Sequence, residues 1–407
     1  MTSETKIATD DARRGQRHGQ GQGDGLGHGQ VQSRRRKRRR RSKSRNHHKG
    51  GSQPVYGALD LGTNNCRLLL ARPEGDSFRV VDAFSRIIRL GEGLSKTGRL
   101  SEAAIERAIE ALKVCTEKMI RRNVVSARLI ATEACRVAEN GAEFIQRVRD
   151  ETGLNLEIVN QETEARLAVA GCSMLLDPHS DAALVFDIGG GSSELMWVDL
   201  DADANEFHNG ENSTATRPGP AHTIKGWVSL PVGVVNIAER FGGVEITSEI
   251  FASMVNDVTG RLDGFEQTHQ ITRAIADKNV HLLGTSGTVT TVAGIHMDLP
   301  RYDRMRVDGR WVSGGEARAV SQRLLSMSYE ERVKSPCVGR DRADLVLAGC
   351  AILEAILQYW PCERLRVADR GLREGILSEL MLADGFMRQR AANANLASSE
   401  RGKEHQQ

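Results

Sequence analysis

The sequence predicts an α/β protein of two related domains that share one cleft, preceded by a basic arm. Three observations lead to that expectation. First, residues 1–54 hold 15 Lys+Arg against four Asp+Glu, nine Gly, and no Phe, Trp or Tyr. Such a segment cannot bury enough apolar surface to offset chain entropy, so it is expected to be disordered. Second, from Val55 onward short β-type runs alternate with helical periodicity, the pattern of an α/β protein. Third, Ala58-Leu-Asp60-Leu-Gly62-Thr-Asn-Asn65 is echoed 127 residues later by Val185-Phe-Asp187-Ile-Gly189-Gly-Gly-Ser192. Each stretch is an apolar strand, an Asp, an aliphatic residue and a Gly turn into a second strand, which suggests a duplicated unit. The 353 residues after the arm exceed one ordinary core. The expected division is 55–180 and 181–387, with a polar, frayed tail at 388–407.

In chain order, residues 55–61 and 66–71 read as a hairpin about Gly-Thr-Asn-Asn, and 78–90 as a further strand. Residues 101–122 place Ile105, Ala108, Ile109, Leu112 and Met119 on one helical face, with Ser101 as N-cap. Then come a strand at 128–132, helices over 133–150, a strand at 156–159 and a helix at 162–174. Strands at 181–187 and 194–200 form the second hairpin. Residues 201–222 are polar and rich in Asn, Ala, Gly and Pro, and read as a long loop. A strand at 223–230, helices at 232–241 and 247–268, a strand at 281–283 and helices to about residue 387 complete the pattern.

Several classes fall away. The N-terminus has no apolar core of a secretory signal. The longest apolar run, 345–357, is too short to span a bilayer and contains Glu354, so no integral membrane protein is expected. Seven scattered cysteines without a C-x-x-C pair argue against a disulfide framework or zinc site, and for a reducing, cytoplasmic setting. The formal charge of +3 is the sum of +11 on the arm and −8 on the rest.

The paired Gly turns suggest chemistry. Successive backbone N–H groups in such a turn can form a nest for phosphate oxygens. Asp60 and Asp187, one beside each turn, offer hard oxygen ligands through which magnesium could bridge protein and substrate. Gly284-Thr-Ser286-Gly287-Thr288 lies between a strand and a helix start, and suits another anion or a nucleoside. Glu162 and Glu164, two apart on a helix, diverge by about 200°, so at most one faces a given cleft. There is no G-x-x-x-x-G-K-[ST] phosphate loop, G-x-S-x-G elbow or H-E-x-x-H helix.

Seven ordered motifs resemble the exopolyphosphatase/guanosine pentaphosphate phosphatase (Ppx/GppA) family. They are Asp60-Leu-Gly-Thr-Asn-Asn-Cys-Arg67-Leu, Ala131-Thr-Glu-Ala-Cys-Arg136, Glu162-Thr-Glu-Ala-Arg166, Asp187-Ile-Gly-Gly-Gly-Ser-Ser-Glu194-Leu, Leu230-Pro-Val-Gly-Val-Val, Gly284-Thr-Ser-Gly-Thr and Asp369-Arg-Gly-Leu-Arg-Glu-Gly375. The resemblance implies two ribonuclease-H-like domains of the actin-like ATPase superfamily about a cleft. It implies hydrolysis of a terminal phosphoanhydride of polyphosphate or pppGpp, assisted by magnesium or another divalent cation. Glu164 takes the position of the general base. Asp187, with Asp60 and Glu194, would hold the metal. Gly189, Gly190, Gly191 and Ser192 would present one phosphate nest; Gly62, Thr63, Asn64 and Arg67 would face it from the other domain. Arg67 would neutralise charge on the transferring group, and Arg136 would either join it or pair structurally. The chain ends soon after the last motif, which implies a short form without a C-terminal helical, HD-like extension. A homodimer is the default expectation.

Two alternatives remain at this point. An actin-type ATPase or small-molecule kinase could use the same turns. A polyanion-binding regulator could act through the block from Arg34 to Arg45, RRRKRRRRSKSR, by sequence-tolerant contact with nucleic acid or an anionic lipid surface.

Overall fold

The structure, a computed structural model, describes residues 53–200 and 222–387. The basic arm, the polar stretch at 201–221 and the tail at 388–407 lie outside the described residues, and with them the expectations made for those segments.

The first half is built from β1 (Val55–Leu61), β2 (Asn65–Glu74), β3 (Ser77–Ile87), α1 (Glu102–Arg121), β4 (Val124–Ala131), α2 (Glu133–Val137), α3 (Gly141–Thr152), β5 (Glu157–Ile158) and α4 (Gln161–Cys172). The second contains β6 (Ala182–Ile188), β7 (Ser193–Leu200), β8 (His222–Leu230), α5 (Val234–Phe241), α6 (Ser248–Thr259), β9 (Val280–Thr285) and α7 (Ser286–His296). It continues through β10 (Trp311–Val312), α8 (Gly314–Ser326), α9 (Val346–Tyr359), β11 (Leu365–Ala368) and α10 (Leu372–Ala383). Shorter helical turns connect these elements.

The first sheet has the order β3-β2-β1-β4-β5. The second, β10-β11-β9-β6-β7-β8, repeats that order when read from β8, with β10 added at its far edge. In both, two antiparallel pairings precede two parallel ones. The echo in sequence is thus an echo in topology, and the expected two-sheet α/β architecture is present.

Local chemistry accounts for the main boundaries. Ser101 caps α1 by accepting from the Ala104 N–H, as the sequence predicts, and Asn160 does the same for α4 through Thr163. The apolar stripe of α1 packs on β1, β2 and β4 with Phe144 and Val148 of α3. The central α9 is buried all round among helices of the second half. Between the sheets lie α4 and α10. Ala165, Ala168, Val169 and Cys172 of α4 pack on the inner face of the second sheet, while Leu372, Ile376, Leu377 and Met381 of α10 pack on β1 and β2. The last helix therefore returns to the first sheet.

Two expectations change. The helix expected over 247–268 is two: α6 ends at Gly260, and a separate helix spans Asp263–His269. The strands β10 and β11 were not expected, since four apolar-polar residues among helices give too little periodicity to register. The described cysteines are all free, six of the seven fully buried.

His281 on β9 is fully buried, and burial lowers its pKa from 6.5 to about 4. Its Nε2 accepts the Asp177 N–H, which requires that nitrogen to be unprotonated. Between those two pH values the unfolded chain binds a proton that the folded protein excludes, so stability falls as pH falls. His281 by itself contributes a loss of about 2 kcal/mol between pH 7 and pH 5. Asp187 and Glu194, whose pKa values are raised on folding, act in the opposite sense over the same range. The check is therefore urea denaturation of wild type and His281→Asn at both values. The change on acidification should be about 2 kcal/mol less favourable in the wild type, and an equal change in the two proteins would assign the effect elsewhere.

Candidate active site

The two Gly turns meet. In the first, the Gly62 N–H donates to the Asn65 carbonyl at 2.9 Å; in the second, the Gly189 N–H donates to Ser192 at the same distance. A Cβ on Gly190 would lie 3.0 Å from Thr63 Cβ and 3.1 Å from the Asn64 nitrogen, and one on Gly191 only 2.8 Å from Thr63 Oγ1. The tips of the hairpins are thus in van der Waals contact, and any larger residue would push the halves apart. Behind the second turn, Val234 and Val235 at the start of α5 donate to the Gly189 and Gly190 carbonyls. Gly233 must be glycine here, because a Cβ would meet the Gly190 carbonyl oxygen at 2.3 Å.

One cleft is lined by Asp60, Gly62, Thr63, Asn64, Arg67, Glu164, Asp187, Gly189, Gly190, Gly191, Ser192, Glu194, Ser286, Gly287 and Thr288. Fifteen of the residues singled out from the sequence therefore converge. Two do not. Gly284 lies inside β9, where a Cβ would strike the Phe186 ring, so it serves packing. Arg136 is held back from the lining: it donates to Glu133, to the Val159 carbonyl at 2.7 Å, and through both terminal nitrogens to Glu164 Oε2 at 3.3 Å. The pairing role is the one the geometry shows. Glu162 is exposed and Glu164 faces inward, as the 200° divergence requires.

Further lining residues were missed: Thr132, Glu133, Val234, Arg342, Val346 and Leu372 among them. Thr132, Glu133, Val234 and Leu372 lie within quoted motifs, but Arg342 is delivered by a loop before α9 and carries no local signal.

The strand register places charges differently in the two halves. Asp60 sits opposite Arg67, whereas Asp187 sits opposite Glu194. Asp187 is pushed up to about 6, chiefly by burial, with Asp60 adding to the rise and Arg67 opposing it. Glu194 is pushed up to about 7 by burial and by Asp187, against hydrogen bonds from Ser192 and Ser229. Burial also raises Asp60, with Arg67 and Arg373 opposing, and lifts Glu164 well above its ordinary value, helped by Glu194 and opposed by Arg136. Four carboxylates thus repel one another in one enclosure, an arrangement that favours a cation.

Among the described residues, no three His, Cys, Asp or Glu side chains converge closely enough to cage a metal unaided. One or two carboxylates with waters and phosphate oxygens are what magnesium usually takes, so the donor set fits a cation shared with substrate. Buried Asn64 Oδ1, Asn65 Oδ1 and Ser286 Oγ also lack a protein partner and line the same cleft. Such atoms cost stability unless a ligand engages them.

Ser286 opens α7 at φ +91°, a region costly for any residue with a Cβ. Ser286→Gly is therefore expected to raise stability by about 1 kcal/mol, read as a higher Tm. A lower Tm would show that the hydroxyl supports the fold.

The Ppx/GppA phosphatase family model matches residues 69–384. The chain belongs to this family. A bifunctional 3-dehydroquinate synthase/phosphatase of Fusobacterium nucleatum is 26% identical over 332 residues, covering 79% of this chain and 46% of that protein. The chain thus spans under half the length of that relative. A solved Aquifex aeolicus member of the Ppx/GppA family is 28% identical, with a TM-score of 0.63 over 81% of this chain and 98% of the other. An exopolyphosphatase-like protein of known structure gives 28% identity and a TM-score of 0.68 over 80% and 97%. Among the described residues no helix is long and apolar enough to cross a membrane.

Proposed function

We propose that this Ppx/GppA phosphatase releases terminal orthophosphate from inorganic polyphosphate or from pppGpp by in-line attack of water. The observation that supports the reading most strongly is the pairing of two contacting Gly turns with Glu164, which Arg136 orients from behind. The N–H groups of Gly190 and Gly191 suit the oxygens of the terminal phosphoryl group, while the Gly189 N–H, held by the Ser192 carbonyl, and the Ser192 hydroxyl, held by Glu194, brace the turn rather than donate outward. Arg67, at the opposite wall, neutralises charge that develops there. Arg136 favours the ionised form of Glu164 against its carboxylate neighbours, and a cation among them would favour it further; in that form Glu164 orients the attacking water and accepts its proton. Asp187, with Asp60 and Glu194 nearby, is the place for magnesium or another divalent cation, whose charge would offset the carboxylate repulsion and that of the phosphates.

The test is phosphate release by the purified protein from long polyphosphate, tripolyphosphate, pppGpp and ATP in parallel, with and without a divalent cation. Turnover that depends strictly on an acceptor alcohol would instead mark a kinase.

A further inference from the structure

The first Gly turn is gripped from outside by the chain between β3 and α1. The Ile88 and Arg89 N–H groups donate to the Asn64 carbonyl at 2.9 and 3.1 Å, and the Gly91 N–H donates to the Thr63 carbonyl at 2.9 Å. A Cβ on Gly91 would lie 2.3 Å from Thr63 Cγ2, so this strap rests directly against the tip of the turn. From α1, Arg107 donates to the Ile88 carbonyl at 2.9 Å and to the Arg89 carbonyl at 3.3 Å, which fixes the strap in the first half.

The same strap is tied to the second half. Arg89 is bidentate to Asp344 at 2.7 and 3.0 Å and donates to the Asp341 carbonyl at 3.3 Å. Four residues on, the Gly93 N–H donates to Glu239 of α5 at 2.7 Å, and the Ser95 hydroxyl donates to the other oxygen of that carboxylate. Between the strap and α5 opens a cavity of about 360 Å³, with Asn64, Arg89, Glu239 and Asp344 in its walls. The strap is therefore held to the second half by polar contacts rather than by close apolar packing, and Arg89 supplies the two-pronged one. Arg89 also sits at φ +48°, a left-handed conformation that a residue with a Cβ adopts at a cost. In that conformation a single residue donates its N–H to the turn and its guanidinium to the opposite half.

We propose that Arg89 is a positioning residue for phosphoryl transfer: pinned to Asp344, it sets the tip of the first turn, Thr63 and Asn64, against the second. Arg89 does not line the cleft, and it acts through the Asn64 carbonyl. The inference rests on the phosphoanhydride hydrolase reading and adds to it the device that aligns the two turns. When the pin is lost, the groups of the first turn shift relative to the transferring phosphoryl group. Misplacement of less than about 1 Å is felt in the chemical step more than in binding.

The test compares Arg89→Ala, Asp344→Ala and the double variant with the wild type; neither residue lines the cleft. Each single variant is expected to lower kcat for polyphosphate about tenfold, with KM within about twofold. The double variant falls no further, because both substitutions remove one and the same contact. Hydrogen exchange on the substrate-free Asp344→Ala protein reads the tie without turnover. The amides of residues 61–66 and 87–92 are expected to exchange about tenfold faster, although the substitution lies in the other half, while α4 between the sheets stays unchanged. An unchanged kcat, a raised KM at constant kcat, or additive losses in the double variant each overturn the proposal. So does exchange that is unchanged at 61–66 or that rises equally in α4, since the latter marks a general loosening. If the wild type releases no phosphate from any substrate, the hydrolase reading fails and the exchange comparison alone decides whether Arg89 holds the turn.

Discussion

Glu164→Gln is expected to lower kcat for phosphate release about a thousandfold while KM changes little. The side chain keeps its size and its contact with Arg136, so the variant should fold and bind as before. What it loses is the ability to take a proton from the attacking water. The effect is large because the remaining lining groups cannot substitute. Asp60, Asp187 and Glu194 lie on the hairpins, Glu194 already accepts from two serines, and Glu133 is engaged by Arg136. Glu162→Gln is the comparison: two residues away, on the exposed side of α4, it should retain the wild-type rate. A Glu164→Gln protein that turned over normally would remove this residue as the base.

Gly171→Ala is expected to cost at least about 3 kcal/mol of stability, at the upper end of overpacking penalties. A Cβ at Gly171 on α4 would lie 1.8 Å from the Gly371 carbonyl oxygen at the head of α10. Across the same crossing a Cβ on Gly375 would lie 2.1 Å from the Leu167 oxygen. Two backbones thus touch where side chains would ordinarily separate helices by 8–10 Å. Neither contact can be relieved by a rotamer change. Gly264→Ala, in an open helical position with nothing within 4 Å, should be neutral or slightly stabilising. Urea titration of the three proteins checks this; a loss below 1 kcal/mol for Gly171→Ala would mean that the helices slide apart freely. Because α4 also carries Glu164, the same variant should lose activity at temperatures where it remains folded.

The sequence made the hairpins legible because their information is local. An Asp, an aliphatic residue and a Gly turn within eight residues specify both the backbone path and the chemistry, and the spacing of the two copies revealed the duplication. The cap residues Ser101 and Asn160 belong to the same class of short-range signal, though only Ser101 was read. What stayed hidden depends on distant partners. Arg342 reaches the cleft only because its loop packs across from the first hairpin. Arg136 stayed open between substrate contact and structural pairing until Glu133, Val159 and Glu164 were seen to occupy it. Gly284 resembled part of an anion loop, yet its neighbour is the Phe186 ring. The motif that contains Gly371 and Gly375 was quoted only for its resemblance, whereas Gly375, with Gly171, permits a helix crossing that brings α4 and the last helix together.

The strand register gives the duplicated hairpins unlike cross-strand partners, and the consequence reaches beyond either hairpin alone. With an arginine facing one aspartate and a glutamate facing the other, the cavity is polarised from wall to wall. A symmetric duplication would offer a cation and an anion the same two walls. This chain has one wall that seeks cations and one that supplies a cation of its own. A metal ion and a phosphoryl group brought in together would therefore enter in one orientation only, set by Glu194 on one side and Arg67 on the other.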